Sequence, residues 1–147
     1  MSAKDLAIGR LTIKGRVEFA QILAGVDVSG TATNADAQIG PVSILGDWIA
    51  TVIAAGAVST NAFFGDGDDV KISGAGVKDV ATVSSKITSL SIGGQAIGTL
   101  GGTDFFGVVA ENVGSLKIGG VAIPLVAGNS NDDHFLGITG DFKINEI

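Results

Sequence analysis

The feature that most constrains this chain is an internal repeat. A five-residue core, apolar-x-apolar-x-Gly, occurs at Leu11-Ile13-Gly15, Val42-Ile44-Gly46, Val70-Ile72-Gly74, Leu90-Ile92-Gly94 and Leu116-Ile118-Gly120. A sixth copy, Phe142-Ile144, keeps the apolar pair but carries Glu146 where glycine belongs. Successive copies start 31, 28, 20, 26 and 26 residues apart. The shortest interval sets the unit, and the longer ones read as the same unit with polar inserts. Residues 87–102 match residues 113–128 without a gap, and residues 8–25 match 39–56, with Gly15 and Gly25, like Gly46 and Gly56, ten apart.

Each copy has the two-residue period of a strand. Leu11, Ile13, Gly15, Val17 and Phe19 alternate with Thr12, Lys14, Arg16 and Glu18, which puts apolar residues on one face and polar residues on the other. No segment joins helical spacing to helix caps. The nearest rival, residues 49–57, is bounded by glycines and too short. The pattern predicts an all-β fold, a parallel β-helix (β-solenoid) of about six coils forming a single domain over residues 1–147. The alternative is a β-sandwich or barrel. In a solenoid Leu11, Val42, Val70, Leu90, Leu116 and Phe142 would share one interior column, Ile13, Ile44, Ile72, Ile92, Ile118 and Ile144 would form the next, and the glycines would mark a corner.

Composition removes several functions. The chain of 147 residues has no cysteine, which excludes disulfide scaffolds, thiol catalysis and cysteine-based zinc sites. Nine Lys and Arg against 15 Asp and Glu give a net charge of −6, so neither nucleic acid nor an anionic membrane is an expected partner. Charged residues are 16% of the chain and mean hydropathy is +0.48, yet the longest uncharged stretches, residues 48–65 and 87–103, are broken by Gly, Ser, Thr and Asn. No membrane insertion is expected. The N-terminal sequence does not read as a signal peptide, which suggests an intracellular protein or a piece of a longer chain.

The pattern apolar-Gly-x-Leu-x-Ile-x-Gly-x-Val…Ala-Gly resembles the glycine-rich coil repeats of large secreted bacterial surface proteins, including filamentous-haemagglutinin-type adhesins. The insert Asn61-Ala-Phe-Phe-Gly-Asp-Gly-Asp-Asp69 is similar to inserts in very large extracellular proteins of planctomycete-like bacteria. The resemblance spans nearly all of residues 8–147. It implies a right-handed parallel β-helix, an extracellular or cell-surface location and a structural or adhesive role. With about six coils where such adhesins have many, the chain reads as a C-terminal module of a longer protein.

Chemistry is expected in the inserts, because loops on a rigid stack carry function. Asp66, Asp68 and Asp69 offer hard oxygen ligands at close spacing, with Gly65 and Gly67 allowing a tight turn, a pattern that suits Ca²⁺. An EF-hand is excluded, since Val77 stands where its twelfth-position Glu is needed. The alternative is a solvated acidic turn. A weaker metal candidate is Asp132 and Asp133 beside the single histidine, His134. The segment 133–137 parallels 103–107, where Phe105 replaces His134, so a loop-anchoring role is expected there. Phe63, Phe64, Phe105, Phe106 and Phe135 read as plugs that pack inserts against the stack.

No Gly-x-Ser-x-Gly elbow or phosphate loop is present. A polysaccharide-active enzyme would need Asp27, Asp36, Asp66 and Asp133 to converge in one groove. A ligand-binding module would need an apolar pocket beneath the phenylalanine-bearing inserts. The outward positions Thr12, Ser43, Lys71, Ser91 and Lys117 are too mixed for a flat crystal-binding face. The function expected is a non-enzymatic structural or adhesive module, self-associating as a homo-oligomer by end-to-end coil stacking and stabilised by Ca²⁺. Its alternative is a carbohydrate-binding or polysaccharide-processing β-helix domain, with a surface polysaccharide or protein as partner. Charges in residues 140–147 and at Lys4-Asp5 are expected to cap the two ends.

Overall fold

A computed structural model describes residues 5–147. Among them every regular element is a strand and no helix forms. The chain first lays down β1 (Leu6–Ile8), β2 (Leu11–Ile13), β3 (Val17–Glu18) and β4 (Gln21–Ala24). A second pass gives β5 (Gln38–Ile44), β6 (Trp48–Ile49) and β7 (Val52–Ala55). An insert then contributes β8 (Ala57–Val58) and β9 (Val70–Lys71) before a third pass, β10 (Lys86–Ile92), β11 (Ala96–Ile97) and β12 (Phe106–Ala110). The rest of the chain forms β13 (Asn112–Val113), β14 (Leu116–Ile118), β15 (Val121–Ile123), β16 (Asp133–Leu136) and β17 (Phe142–Glu146).

Equivalent strands of successive passes lie side by side and parallel. In the first sheet β1 and β2 pair with β5, β5 with β10, and β10 with β13 and β14. The second sheet runs β3-β6-β11, and the third runs β4-β7-β12-β17. No sheet closes into a barrel. On the C-terminal side two strands pair antiparallel, β15 on β14 and β16 on β17.

The register follows from the repeat. Leu11, Val42, Leu90 and Leu116 align across the first sheet, and Ile13, Ile44, Ile92 and Ile118 align beside them. Val42, Ile44, Leu90, Ile92 and Leu116 are at most 1% exposed, whereas the alternating Thr12, Ser43, Ser91 and Lys117 point outward. Identical side chains stacked in parallel bury the same apolar surface at every level, at roughly 25 cal/mol per Å². Close approach explains the corner glycines Gly46 and Gly94, whereas Gly74 and Gly120 face open space and have φ of +124° and +79°. Gly46 N donates to Gly15 O at 3.0 Å, and Gly94 N donates to Gly46 O at 3.0 Å. A Cβ at Gly46 would lie 2.8 Å from Arg16 N, and one at Gly94 would lie 3.0 Å from Asp47 N. Gly15, on the outermost pass, would meet nothing.

Several expectations need correction. The third copy leaves the stack: Val70 and Lys71 pair antiparallel with Val58 and Ala57, so Ile72 is buried outside the isoleucine column. Lys71 does not continue the outward row; its ammonium contacts Asp79 at 2.9 Å and Glu111 at 3.4 Å. The sixth copy is stacked in a different sheet, with Phe142 opposite Phe106 and Ile144 opposite Val108. Residues 140–147 therefore do not cap the end with charge. Phe142 and Ile144 are fully buried, and Glu146 is 6% exposed. At the other end Lys4 lies outside the described residues, while Asp5 is buried and accepts a hydrogen bond from Lys78.

One core fills the space between the sheets. Trp48 and Phe142 sit at its centre with ring centroids 6.5 Å apart, among Ile39, Ile53, Ile87 and Ile144. The buried indole donates to Thr51 O at 2.9 Å. A second cluster covers the outer face of the third sheet, where Val52, Ala54 and Val109 pack with Phe64 and Phe106. The insert thus makes that sheet two-sided and holds the candidate sites against it.

Candidate functional site

The acidic turn of the insert is fixed by its glycines. Gly65 and Gly67 have φ of +94° and +98°, a region that disfavours side chains. A Cβ at Gly65 would also lie 2.9 Å from Gly107 Cα, so the turn lies directly on β12. This geometry gathers Asp66, Asp68 and Asp69, with one carboxylate oxygen from each inside 4.8 Å. Ligands of one Ca²⁺ at 2.3–2.6 Å lie no more than about 5 Å apart, so the spacing fits. Asn61 Nδ2 donates to Asp66 and Thr60 Oγ1 to Asp68, each at 2.5 Å. Ser59 Oγ donates to Asp68 at 3.3 Å.

Asp69 anchors the turn from below. It is 7% exposed, and its Oδ2 accepts from Gly65 N at 2.7 Å and from Asn145 Nδ2 on β17 at 3.0 Å. Its Oδ1 is buried without a hydrogen-bond partner. Burial pushes the Asp69 carboxyl above the usual carboxylate range, and the negative charges of Asp66 and Asp68 add to this against the hydrogen bonds from Asn145 and Gly65. Burial acts the same way on Asp66, but hydrogen bonds led by the one from Asn61 outweigh it and hold that carboxyl low. Asp66 therefore sits in an environment that favours its charge, and Asp69 in one that resists ionisation unless a cation is added.

The other acidic residues keep separate partners. Asp132 is buried and accepts from Val126 N at 2.9 Å, while exposed Asp133 pairs with Lys143. His134 lies opposite Ile144 in the antiparallel pair. The expected likeness of 133–137 to 103–107 is not a structural equivalence, because Phe106 aligns with Phe142. Asp27 is held low by the Ser29 hydroxyl and the Thr31 and Ser29 amides in its own exposed turn. Asp36 is fully buried and accepts from Val80 N at 3.0 Å. Among the described residues, the acidic turn is the only group of three carboxylates placed for a metal.

A second feature lies beside the turn. Phe19, Phe63, Phe64, Phe105 and Phe106 line a cleft of about 240 Å³, with Asp104 and Gln21 among its polar groups. Four of the five expected plugs are here, half-buried. Phe135 is not one of them; it is 55% exposed, with the Lys143 ammonium 5.6 Å from its ring centroid.

Sequence reasoning missed the buried and half-buried carboxylates that tie passes and inserts together. Glu111 accepts from Ser85 N at 2.8 Å, Glu146 from Val113 N at 2.6 Å, and Asp141 from Thr99 N at 2.6 Å. Each partner is 26 or more residues away, so no local pattern announces them. Fold and site together define an all-β repeat chain with an acidic, phenylalanine-rich insert on one face. A scan against family models, a search of curated proteins and a search of solved structures each found no match.

Proposed function

We propose that this chain is a non-enzymatic scaffold and interaction module, built as a short β-solenoid whose inserts carry its contacts. The observation that carries this reading is the shared register of β2, β5, β10 and β14. Such a stack gains stability by adding like levels. The dispersal of Asp27, Asp36, Asp66 and Asp133 among unrelated partners favours a scaffold over a polysaccharide-active enzyme. The extracellular or surface setting belongs to the same proposal and rests on the resemblance of the repeats. No helix among the described residues is long and apolar enough to cross a membrane.

The two ends of the stack differ, and this supports self-association. β1, β3 and β4 are edges of their sheets, and Leu6 on β1 is 37% exposed. Unpaired edges recruit other strands. Sedimentation velocity over a range of concentrations tests this: reversible dimerisation, weakened by Leu6→Lys, is expected. A monomer at every concentration would remove end-to-end association from the account.

Ca²⁺ at Asp66, Asp68 and Asp69 is part of the proposal, supported by their spacing and by the orphaned Asp69 oxygen. Excess Ca²⁺ is expected to raise Tm relative to EDTA. An unchanged Tm with no heat of titration would remove the metal.

A further inference from the structure

We propose that the phenylalanine-lined cleft binds a small organic ammonium cation of the quaternary or alkylated class. The first reason is the strain at its rim. Phe19 has φ +51° and Ala50 has φ +44°, both in the left-handed region. Glu18 aligns with Ile49 and Ile49 with Ile97, so Phe19, Ala50 and Gly98 hold the same corner on three passes. That backbone penalises any side chain beyond glycine, and the third pass avoids it, Gly98 lying outside the left-handed region. The first pass instead carries the bulkiest residue of the three, with 74% of its surface exposed. Strain retained at an exposed residue is a mark of function, and this ring forms one wall of the cleft.

The lining selects the ligand. Five phenylalanines present rings and no hydrogen-bonding groups, Asp104 supplies a carboxylate, and no Lys, Arg or His takes part. Asp104 Oδ1 already accepts from Thr99 Oγ1 at 2.7 Å. A saccharide would bring many hydroxyls to a wall that can satisfy few of them, leaving buried polar groups unpaired. An anion would meet Asp104 and the field of a chain carrying −6. An alkylated ammonium needs aromatic surface and one nearby negative charge, and makes few or no hydrogen-bond demands. At about 240 Å³ the cleft is smaller than the ~300–1,000 Å³ of typical ligand pockets, which suits a headgroup rather than a stretch of polymer. This inference depends on the cleft alone and stands apart from the scaffold reading.

The test is a titration of the full chain, followed by amide NMR shifts, with tetramethylammonium, choline, the uncharged choline isostere 3,3-dimethylbutan-1-ol, and glucose. Saturable shifts around the cleft are expected for both cations, with the isostere about tenfold weaker. Asp104→Asn keeps an acceptor for Thr99 and is expected to weaken choline about tenfold without loss of fold. Phe19→Gly is expected to abolish binding while Tm stays the same or rises. Equal binding of the isostere, saturation by glucose instead of the cations, or no shift with any probe would overturn the proposal. A Tm lowered by Phe19→Gly with choline binding intact would make the phenylalanine structural and overturn it as well.

Discussion

Residues 42–46 and 70–74 carry the same five-residue motif and take opposite courses. The first supplies the last three residues of β5, a seven-residue strand paired on both sides, with Val42 and Ile44 buried. The second begins with a two-residue strand, β9, paired antiparallel within the insert, and leaves Val70 45% exposed. What separates them is the residue three places before the first apolar position. Ile8, Ile39, Ile87 and Val113 hold that place in the stacked copies and align with one another. Gly67 and Thr139 hold it in the two copies that leave the first sheet. A single apolar pair buries too little to fix a register, whereas a third anchor commits the longer strand to one pairing.

The contrast can be broken most severely at the corner glycine of the stacked copy. Gly46→Val drives a side chain into the backbone of the neighbouring pass and is expected to cost more than about 3 kcal/mol, seen as loss of soluble folded protein. Gly94→Val should behave in the same way. A stable, folded Gly46→Val would deny that the passes approach so closely. Gly15→Val, on the outermost pass, should be tolerated.

Next in size is Gly65→Val, which obstructs contact between the insert and β12. Undocking the insert is expected to lower stability by about 2 kcal/mol and to speed hydrogen exchange in residues 56–85 while β5 and β10 stay protected. Uniform loss of protection would mean that insert and stack fold as one unit.

Asp69→Asn sharpens the comparison in the opposite direction. The folded state holds the Asp69 proton more tightly than the unfolded chain does, so ionisation opposes folding. In EDTA, stability should fall as pH rises from the ordinary carboxylate pKa through the raised folded value, and remain lower above it. The variant removes that slope and is expected to gain about 1 kcal/mol at neutral pH, read as a higher Tm. A lower Tm for the variant in EDTA would contradict the assignment.

The smallest effect is at Lys71, whose ammonium is held above its usual range chiefly by the Asp79 hydrogen bond, with Glu111 assisting against burial. Its contribution is complete below the unfolded lysine pKa and disappears as pH rises through the folded one. Lys71→Met should cost under about 1 kcal/mol near neutrality and flatten the alkaline limb of a stability–pH curve. An unaltered limb would place the alkaline loss elsewhere.

Much of the first sheet was legible in the sequence. The alternation at Leu11-Thr12-Ile13 and the recurrence at Val42-Ile44, Leu90-Ile92 and Leu116-Ile118 set strand type, facing and register together. The departure of Ile72 was not legible from the five-residue motif, because its burial comes from an insert that folds back rather than from its own period. Asp66, Asp68 and Asp69 could be gathered in advance because they are adjacent in sequence. The cleft was foreseen as plugs at Phe63, Phe64, Phe105 and Phe106, and as the apolar pocket that a ligand-binding module would need beneath them. Phe19 joins it through a corner whose left-handed backbone no local spacing reports, while Asp104 directly precedes Phe105 in the chain.

The most direct measurement uses the absence of native cysteine. The structure places Ser43 beside Ser91, 48 positions along the chain, with both side chains outward. Simple succession of copies would place Ser43 beside Lys71. Neighbouring strands lie about 4.8 Å apart, within the Cα separation that a disulfide spans. The double variant Ser43→Cys/Ser91→Cys is expected to form an intramolecular disulfide under mild oxidation, and Ser43→Cys/Lys71→Cys to remain reduced. Closure of the second pair with failure of the first would contradict the register on which the whole account stands.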